Sequence, residues 1–160
     1  MKTKILVFSD SHGYCGNMAE AIDAEKPHYC IHLGDGEQDL DTIAILYPNL
    51  PIMNVRGNCD GWSSTPTEAV FTIAGKRIYC VHGNLHRVRR TELSPELEAD
   101  ARAAEADIVL FGHTHKALYT GASGMEVLNP GTIRNDPAAS YAVIETENGK
   151  TEITIKPVNE

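Results

Sequence analysis

Asp10 and His12 stand two residues apart, directly after the run Lys4-Ile5-Leu6-Val7-Phe8. The apolar end of that run, rich in β-branched and aromatic residues, reads as a buried strand. In an extended or turning backbone, residues i and i+2 point to the same side. A carboxylate oxygen and an imidazole nitrogen on one side form a donor pair suited to Mn²⁺, Fe or Zn²⁺. Alone, such a pair is weak. Here it recurs. Tyr29-Cys30-Ile31-His32-Leu33 leads into Gly34-Asp35-Gly36, and Ile52-Met53-Asn54-Val55 into Arg56-Gly57-Asn58-Cys59-Asp60. Arg77-Ile78-Tyr79-Cys80-Val81 leads into His82-Gly83-Asn84, and Ile108-Val109-Leu110-Phe111 into Gly112-His113-Thr114-His115. Each apolar run ends in a Gly-containing turn with Asp, Asn or His. In open α/β sheets, ligands bind at the carboxyl ends of the strands.

The elements that must position these turns follow from hydrophobic pattern. Residues 17–25 read as a helix ended by Pro27, and residues 40–46 as a second helix before Pro48 and Pro51. With strands near 4–8, 28–33 and 52–55, the first third is β-α-β-α-β, hence parallel with right-handed crossovers. Residues 61–67 are polar and hold the only tryptophan, Trp62. Residues 69–73 and 76–81 read as a hairpin about Ala74-Gly75. Residues 95–106 read as a helix with Ser94 as N-cap and glutamates in its early turns. Further strands fall at 118–120, 125–128, 141–145 and 152–156. The pattern alone therefore predicts an α/β domain whose second half adds a mostly antiparallel sheet.

The ordered set Asp10-x-His12, Gly34-Asp35, Gly57-Asn58, His82 and Gly112-His113-x-His115 resembles the signature of the calcineurin-like metallophosphoesterase superfamily. Asn129-Pro130-Gly131-Thr132 resembles that family's Asn-Pro-Gly-Ser turn. Short length and Gly57-Asn58-Cys59-Asp60 make the chain most similar to the small YfcE-type phosphodiesterases. A length of 160 residues leads us to expect one domain over residues 1–160, with the resemblance carried from Asp10 to Thr132. The resemblance implies a four-layer αββα sandwich, with two mixed sheets flanked by helices and a metal site at the carboxyl ends of the strands. It further implies two divalent metals, with Mn²⁺ the first expectation and Fe, Zn²⁺ or Ni²⁺ the alternatives. Asp10, His12, Asp35 and His115 would hold one metal. Asp35, Asn58, His82 and His113 would hold the other, with Asp35 bridging. Asp35, Asn58 and His82 are also the expected catalytic groups, and a metal-bridging hydroxide is expected to attack phosphorus in line.

Departures from the family pattern bear on substrate. Cys59 stands where many members carry a histidine that donates a proton or contacts phosphate, and a thiol is a weak donor. That favours good leaving groups, unless Cys59 is only packing. Asn84 replaces a histidine found in several relatives. Cys59 and Arg87 are candidate substrate contacts; Arg56 and Arg134 are weaker ones. The basic segment His86-Arg87-Val88-Arg89-Arg90 reads mainly as a solvated stretch paired with Glu92 and Glu96, with guidance of an anionic substrate as the other reading. His86 is expected to be solvated. His28 and His32 belong to the second strand and are expected to have structural partners rather than metals.

Charge and cysteine usage narrow the class. A formal net charge of −8 argues against strong nucleic-acid binding, which needs positive charge to displace counterions. Cys15, Cys30, Cys59 and Cys80 form no Cys-x-x-Cys pair, which suggests a reducing cytoplasm without disulfides. No apolar run approaches the ~20 residues of a membrane span. The expected activity is hydrolysis of a phosphate ester, foremost a phosphodiester. A phosphomonoesterase, a nuclease or a metal-binding scaffold for a protein partner are the competing readings. A homo-oligomer is compatible with this sequence.

Overall fold

The structure is a computed structural model that describes residues 2–88, 93–122 and 124–158. Alternation along β1 (Thr3–Phe8) defines the layers: Ile5 and Val7 enter one apolar cluster, Leu6 and Phe8 another. A strand buried on both faces must be covered on both. On one side lie α1 (Gly16–Glu25) and α2 (Glu37–Leu46), which bring Met18, Ala21, Ile22 and Ile43 against Leu6 and Phe8. On the other side lies a second sheet.

The first sheet joins β1 to β2 (Tyr29–His32) and β3 (Ile52–Asn54) in parallel. The second sheet begins with the hairpin β4 (Glu68–Ile73) and β5 (Lys76–Val81). Then α3 (Pro95–Ala103) carries the chain back, so β6 (Ile108–Leu110) runs parallel to β5. Next, β7 (Leu118–Ala122) and β8 (Met125–Asn129) form a hairpin that places β8 parallel to β6. Finally β9 (Ser140–Glu147) and β10 (Lys150–Pro157) return to the first sheet, where β9 lies antiparallel to β1. The orders are β10-β9-β1-β2-β3 and β4-β5-β6-β8-β7.

Both sheets are therefore mixed, and α3 covers the outer face of the second through Leu97 and Ala101. The four-layer αββα sandwich is the fold. The mostly antiparallel second half read from the pattern is corrected. The helical crossover α3 forces β6 to run parallel to β5, because a tight turn joins only antiparallel strands. Among the described residues, no helix is long and apolar enough to cross a membrane.

Helix boundaries show which constraints are local. At α3, Ser94 Oγ accepts from Leu97 N at 3.2 Å, the expected cap. By contrast, α2 starts at Glu37 rather than at residue 40. Its own N-cap, Gly36, makes no side-chain hydrogen bond; instead the carboxylate of Asp60 accepts from Glu37 N at 3.2 Å. The signal for that start lies 23 residues away in sequence. Near the amino end of β1, His28 Nδ1 accepts from Lys4 N at 2.9 Å, the structural role expected for it.

Ser94 also donates to the His86 carbonyl at 2.6 Å, tying α3 to the turn that follows β5. Ser94→Ala removes both bonds, and a loss of about 1–2 kcal/mol in urea unfolding is expected.

Candidate metal centre

The loops after β1, β2, β3, β5 and β6 meet at one edge of the sandwich. Asp10 and Asp35 are both buried there. Ser9 Oγ donates to Asp10 Oδ2 at 2.6 Å, and His113 N donates to the same oxygen at 3.0 Å. That leaves Asp10 Oδ1 buried with no hydrogen-bond partner among the described residues. Three imidazole nitrogens face it: His115 Nε2 at 3.3 Å, His12 Nε2 at 3.6 Å and His82 Nε2 at 3.7 Å. Asp35 is held the same way. Its Oδ1 accepts from Cys59 N at 2.7 Å, while Oδ2 lies 3.1 Å from His82 Nε2 and 3.8 Å from His12 Nε2.

The imidazoles also face one another. His12 Nε2 and His115 Nε2 are 3.3 Å apart, and His113 Nδ1 and His82 Nε2 are 3.2 Å apart. His82 Nδ1 donates to the Leu33 carbonyl at 2.8 Å, so its Nε2 presents a lone pair to the site. Ligand atoms of Asp10, His12 and His115 lie within 4.8 Å of one another, as do those of Asp35, His82 and His113. An orphaned carboxylate oxygen amid inward-facing nitrogens is the donor set a divalent cation requires. The residues present therefore fit two metals.

Charge follows from these contacts. Burial works to raise the Asp10 carboxyl, but the neighbouring His115 and His82 and the Ser9 hydrogen bond bring it below the usual carboxylate value. For Asp35 burial again opposes ionisation, and the His82 and Cys59 hydrogen bonds hold it well below that value. Burial works to lower His82, yet Asp35 and Asp10 raise it. His113 is lowered by burial and by the neighbouring His82. Burial and the Asp35 charge push the Cys59 thiol up, keeping it neutral.

Six of the seven expected ligands thus converge. Asn58 is exposed, and its amide donates to Cys59 Sγ at 3.5 Å; Cys59 itself forms a further group with His12 and Asp35. Cys59 is exposed rather than packed. Arg56 donates to the Ser63 carbonyl at 3.0 Å, and Arg134 pairs with Asp136 at 3.2 Å. Arg87 is exposed at the end of the 3₁₀ turn Asn84–His86. The other basic positions, Arg89 and Arg90, and Glu92 lie outside the described residues.

His32 has the structural partners expected. It accepts from Gly34 N at 3.1 Å and meets Ser11 Oγ at 3.0 Å, and burial lowers its pKa to about 4. His86 is corrected: it is buried, with Nε2 2.8 Å from Asp100. Polarity of its neighbours in sequence suggested solvent, but α3 packs over it.

Supporting residues were less visible. Asp60 accepts from Asp35 N at 2.8 Å, Gly57 N at 2.9 Å and Gly36 N at 3.1 Å, besides Glu37 N. Its place in Gly57-Asn58-Cys59-Asp60 was the available signal. Thr132 Oγ1 donates to the Asp10 carbonyl at 2.7 Å, and Asn129 Nδ2 to the Gly112 carbonyl at 3.2 Å, so the Asn-Pro-Gly-Thr turn props both outer loops. Gly57 is required because a Cβ there would collide with the Asp35 carboxylate. Beside the clusters opens a cleft of about 680 Å³ whose walls include His12, Asp35, Cys59 and Trp62.

Residues 3–149 match the calcineurin-like phosphoesterase superfamily domain, and the chain belongs to that superfamily. It is 34% identical over 151 residues to the probable metallophosphoesterase YsnB of Bacillus subtilis, covering 90% of this chain and 85% of that protein. A solved structure from Streptococcus pneumoniae, described as a predicted phosphoesterase, is 27% identical with a TM-score of 0.79, over 99% of this chain and 91% of that one. Vacuolar Protein Sorting 29 of Cryptosporidium parvum shares the fold at 21% identity and TM-score 0.74, over 99% of each chain. Family and clusters together support a metal-dependent phosphoesterase.

Two outcomes follow from this geometry. Asp60→Ala strips four backbone donors of their acceptor, and a loss of about 3 kcal/mol in chemical unfolding is expected, with weaker metal binding although Asp60 is no ligand. The raised His82 pKa carries the second. Its stabilisation of the metal-free protein is complete below the unfolded value, about 6.5, and is lost as pH rises through the folded value. A metal needs the neutral ring. Calorimetry should therefore show divalent-ion affinity increasing with pH across that range, with protons released below it.

Proposed function

We propose that the chain is a metal-dependent phosphodiesterase of the small YfcE type, a single domain over residues 1–160 that works in the cytoplasm. The observation that carries this reading is the pair of buried carboxylates whose free oxygens face four imidazoles. Asp10, His12 and His115 would hold one ion, and His82, His113 and Asn58 the other, with Asp35 shared. Mn²⁺ suits this mixed oxygen and nitrogen set best. Two such ions supply a nucleophile from water at neutral pH and electrostatic stabilisation of the phosphoryl oxygens.

The chain's own residues set the terms. Asp35 Oδ2 lies between His82 and His12, so one carboxylate serves both clusters. The histidines are ligands in their neutral form, so two dications outweigh the two carboxylates. An otherwise acidic protein thereby gains a positive patch for an anionic ester. The adjoining cleft gives room for a second ester arm, which supports diesters over monoesters. Cys59 is neutral and weakly donating, so departure of the alcohol relies on a good leaving group or on water.

Hydrolysis of bis-p-nitrophenyl phosphate by metal-stripped protein should return on adding Mn²⁺, exceed that of p-nitrophenyl phosphate, and fall at least a hundredfold in Asp35→Ala. Absence of turnover with two metals bound per chain would leave a metal-binding scaffold instead. Cys59→His installs a stronger donor, so it should raise kcat on alkyl esters more than on aryl esters.

A further inference from the structure

Trp62 is fully exposed (103%) and is the only tryptophan. A side chain that buries nothing contributes nothing to the core, yet this one forms a wall of the cleft that also contains His12, Asp35 and Cys59. Acid dominates the charge of the other walls: Glu37, Asp39, Asp41 and Asp60 all line it, and among the described residues no lysine or arginine does. Arg56 donates to the Ser63 carbonyl. The carboxylates differ in their commitments. Asp60 serves backbone donors. Glu37 accepts from Asn54 Nδ2 at 3.0 Å and from Thr65 Oγ1. Asp39 Oδ2 accepts from Ser11 Oγ at 2.6 Å and from Gly13 N at 3.0 Å. Asp41 is exposed.

An ester whose phosphoryl group is bound at the metal end therefore continues into space lined by carboxylates and by an exposed indole. A second anionic group there would be repelled by the carboxylates of Glu37, Asp39, Asp41 and Asp60. A cation is attracted by the carboxylates and by the face of an indole, the strongest aromatic partner for an ammonium. We infer that the cleft between Trp62 and the Glu37–Asp41 stretch is a subsite for an organic ammonium group carried on the alcohol of the phosphodiester. The chemical class is a choline-like phosphodiester, from a soluble ester or from a lipid headgroup. The inference rests on the phosphodiesterase reading for its use, though not for its ligand. Asp41 and Trp62 are the specificity-determining residues.

Trp62 is its own reporter. Choline should perturb the emission of the metal-loaded protein saturably at millimolar concentration, and 3,3-dimethylbutan-1-ol, its uncharged isostere, should not. Equal responses to both, or no saturable response to choline, overturn the inference. Kinetics supply the second arm. Trp62→Ala should raise KM for p-nitrophenylphosphorylcholine about three- to tenfold and leave kcat nearly unchanged, with Trp62→Phe recovering part of the loss. Asp41→Asn should lower kcat/KM for that ester relative to bis-p-nitrophenyl phosphate; an unchanged ratio in both variants counts against the subsite. Glycerophosphocholine competing with the aryl ester assigns a soluble substrate. Sedimentation with phosphatidylcholine vesicles assigns a headgroup, and failure of both overturns the inference. If no ester is turned over while choline still perturbs Trp62, the phosphodiesterase reading falls and the subsite stands. Turnover of the bis-aryl ester without any choline response removes the subsite alone.

Discussion

Two buried carboxylates and four imidazoles are forced to face one another at the edge of this sandwich. Asp10 Oδ1 has no hydrogen-bond partner among the described residues, and His12 and His115 meet nitrogen to nitrogen at 3.3 Å. Nothing in a folding core favours such an arrangement, because every group in it prefers water. It persists because the rest of the protein over-determines it. Ser9 and His113 N occupy one oxygen of Asp10, Cys59 N occupies one oxygen of Asp35, and the Leu33 carbonyl fixes the ring of His82. Each constraint turns the remaining atom inward. A cation relieves the conflict, and the site is best understood as a cost the scaffold carries until one binds.

The backbone shares that cost. Asp10, His12, Asp35, His113 and His115 all have positive φ, between 45° and 69°. Residues with a Cβ rarely occupy this left-handed region, and such outliers collect at functional sites. Here the reason is geometric. A strand presents successive side chains to opposite faces, whereas these ligands must turn back across the ends of the strands. A left-handed residue reverses the chain within one step. The Asp60 carboxylate then gathers the amides of Asp35, Gly36 and Gly57 that this reversal leaves without partners.

Most of the site was legible because metal chemistry restricts residue types. The apolar runs that stop in glycine turns marked Asp10, His12, Asp35, His82, His113 and His115 as metal-capable, and only the resemblance to the superfamily made them the expected ligand set. The layer structure was legible only through resemblance, since an apolar run does not say which strand it will lie beside. Pattern alone misread the second sheet, where α3 rather than a turn joins β5 to β6. His86 was misread for a related reason: its partner Asp100 lies on a helix 14 residues away, and local polarity carries no information about that. Asp60 and Thr132 act through backbone atoms, and a hydrogen bond to an amide leaves no mark on the sequence of the amide it serves.

The order β10-β9-β1-β2-β3 has a consequence for how this protein is made. β1, which carries Asp10 at its end, pairs on one side with β2, about 25 residues later. On its other side it pairs with β9, where Thr3 opposes Thr146. During synthesis β1 and β2 emerge well before the strand that closes their open edge, which starts only at Ser140. Until then a strand that is apolar from Ile5 to Phe8 has an unpaired side, the situation in which chains associate wrongly. Long-range closure of this kind also slows folding. The nascent chain is therefore most open to mispairing along that edge until β9 arrives.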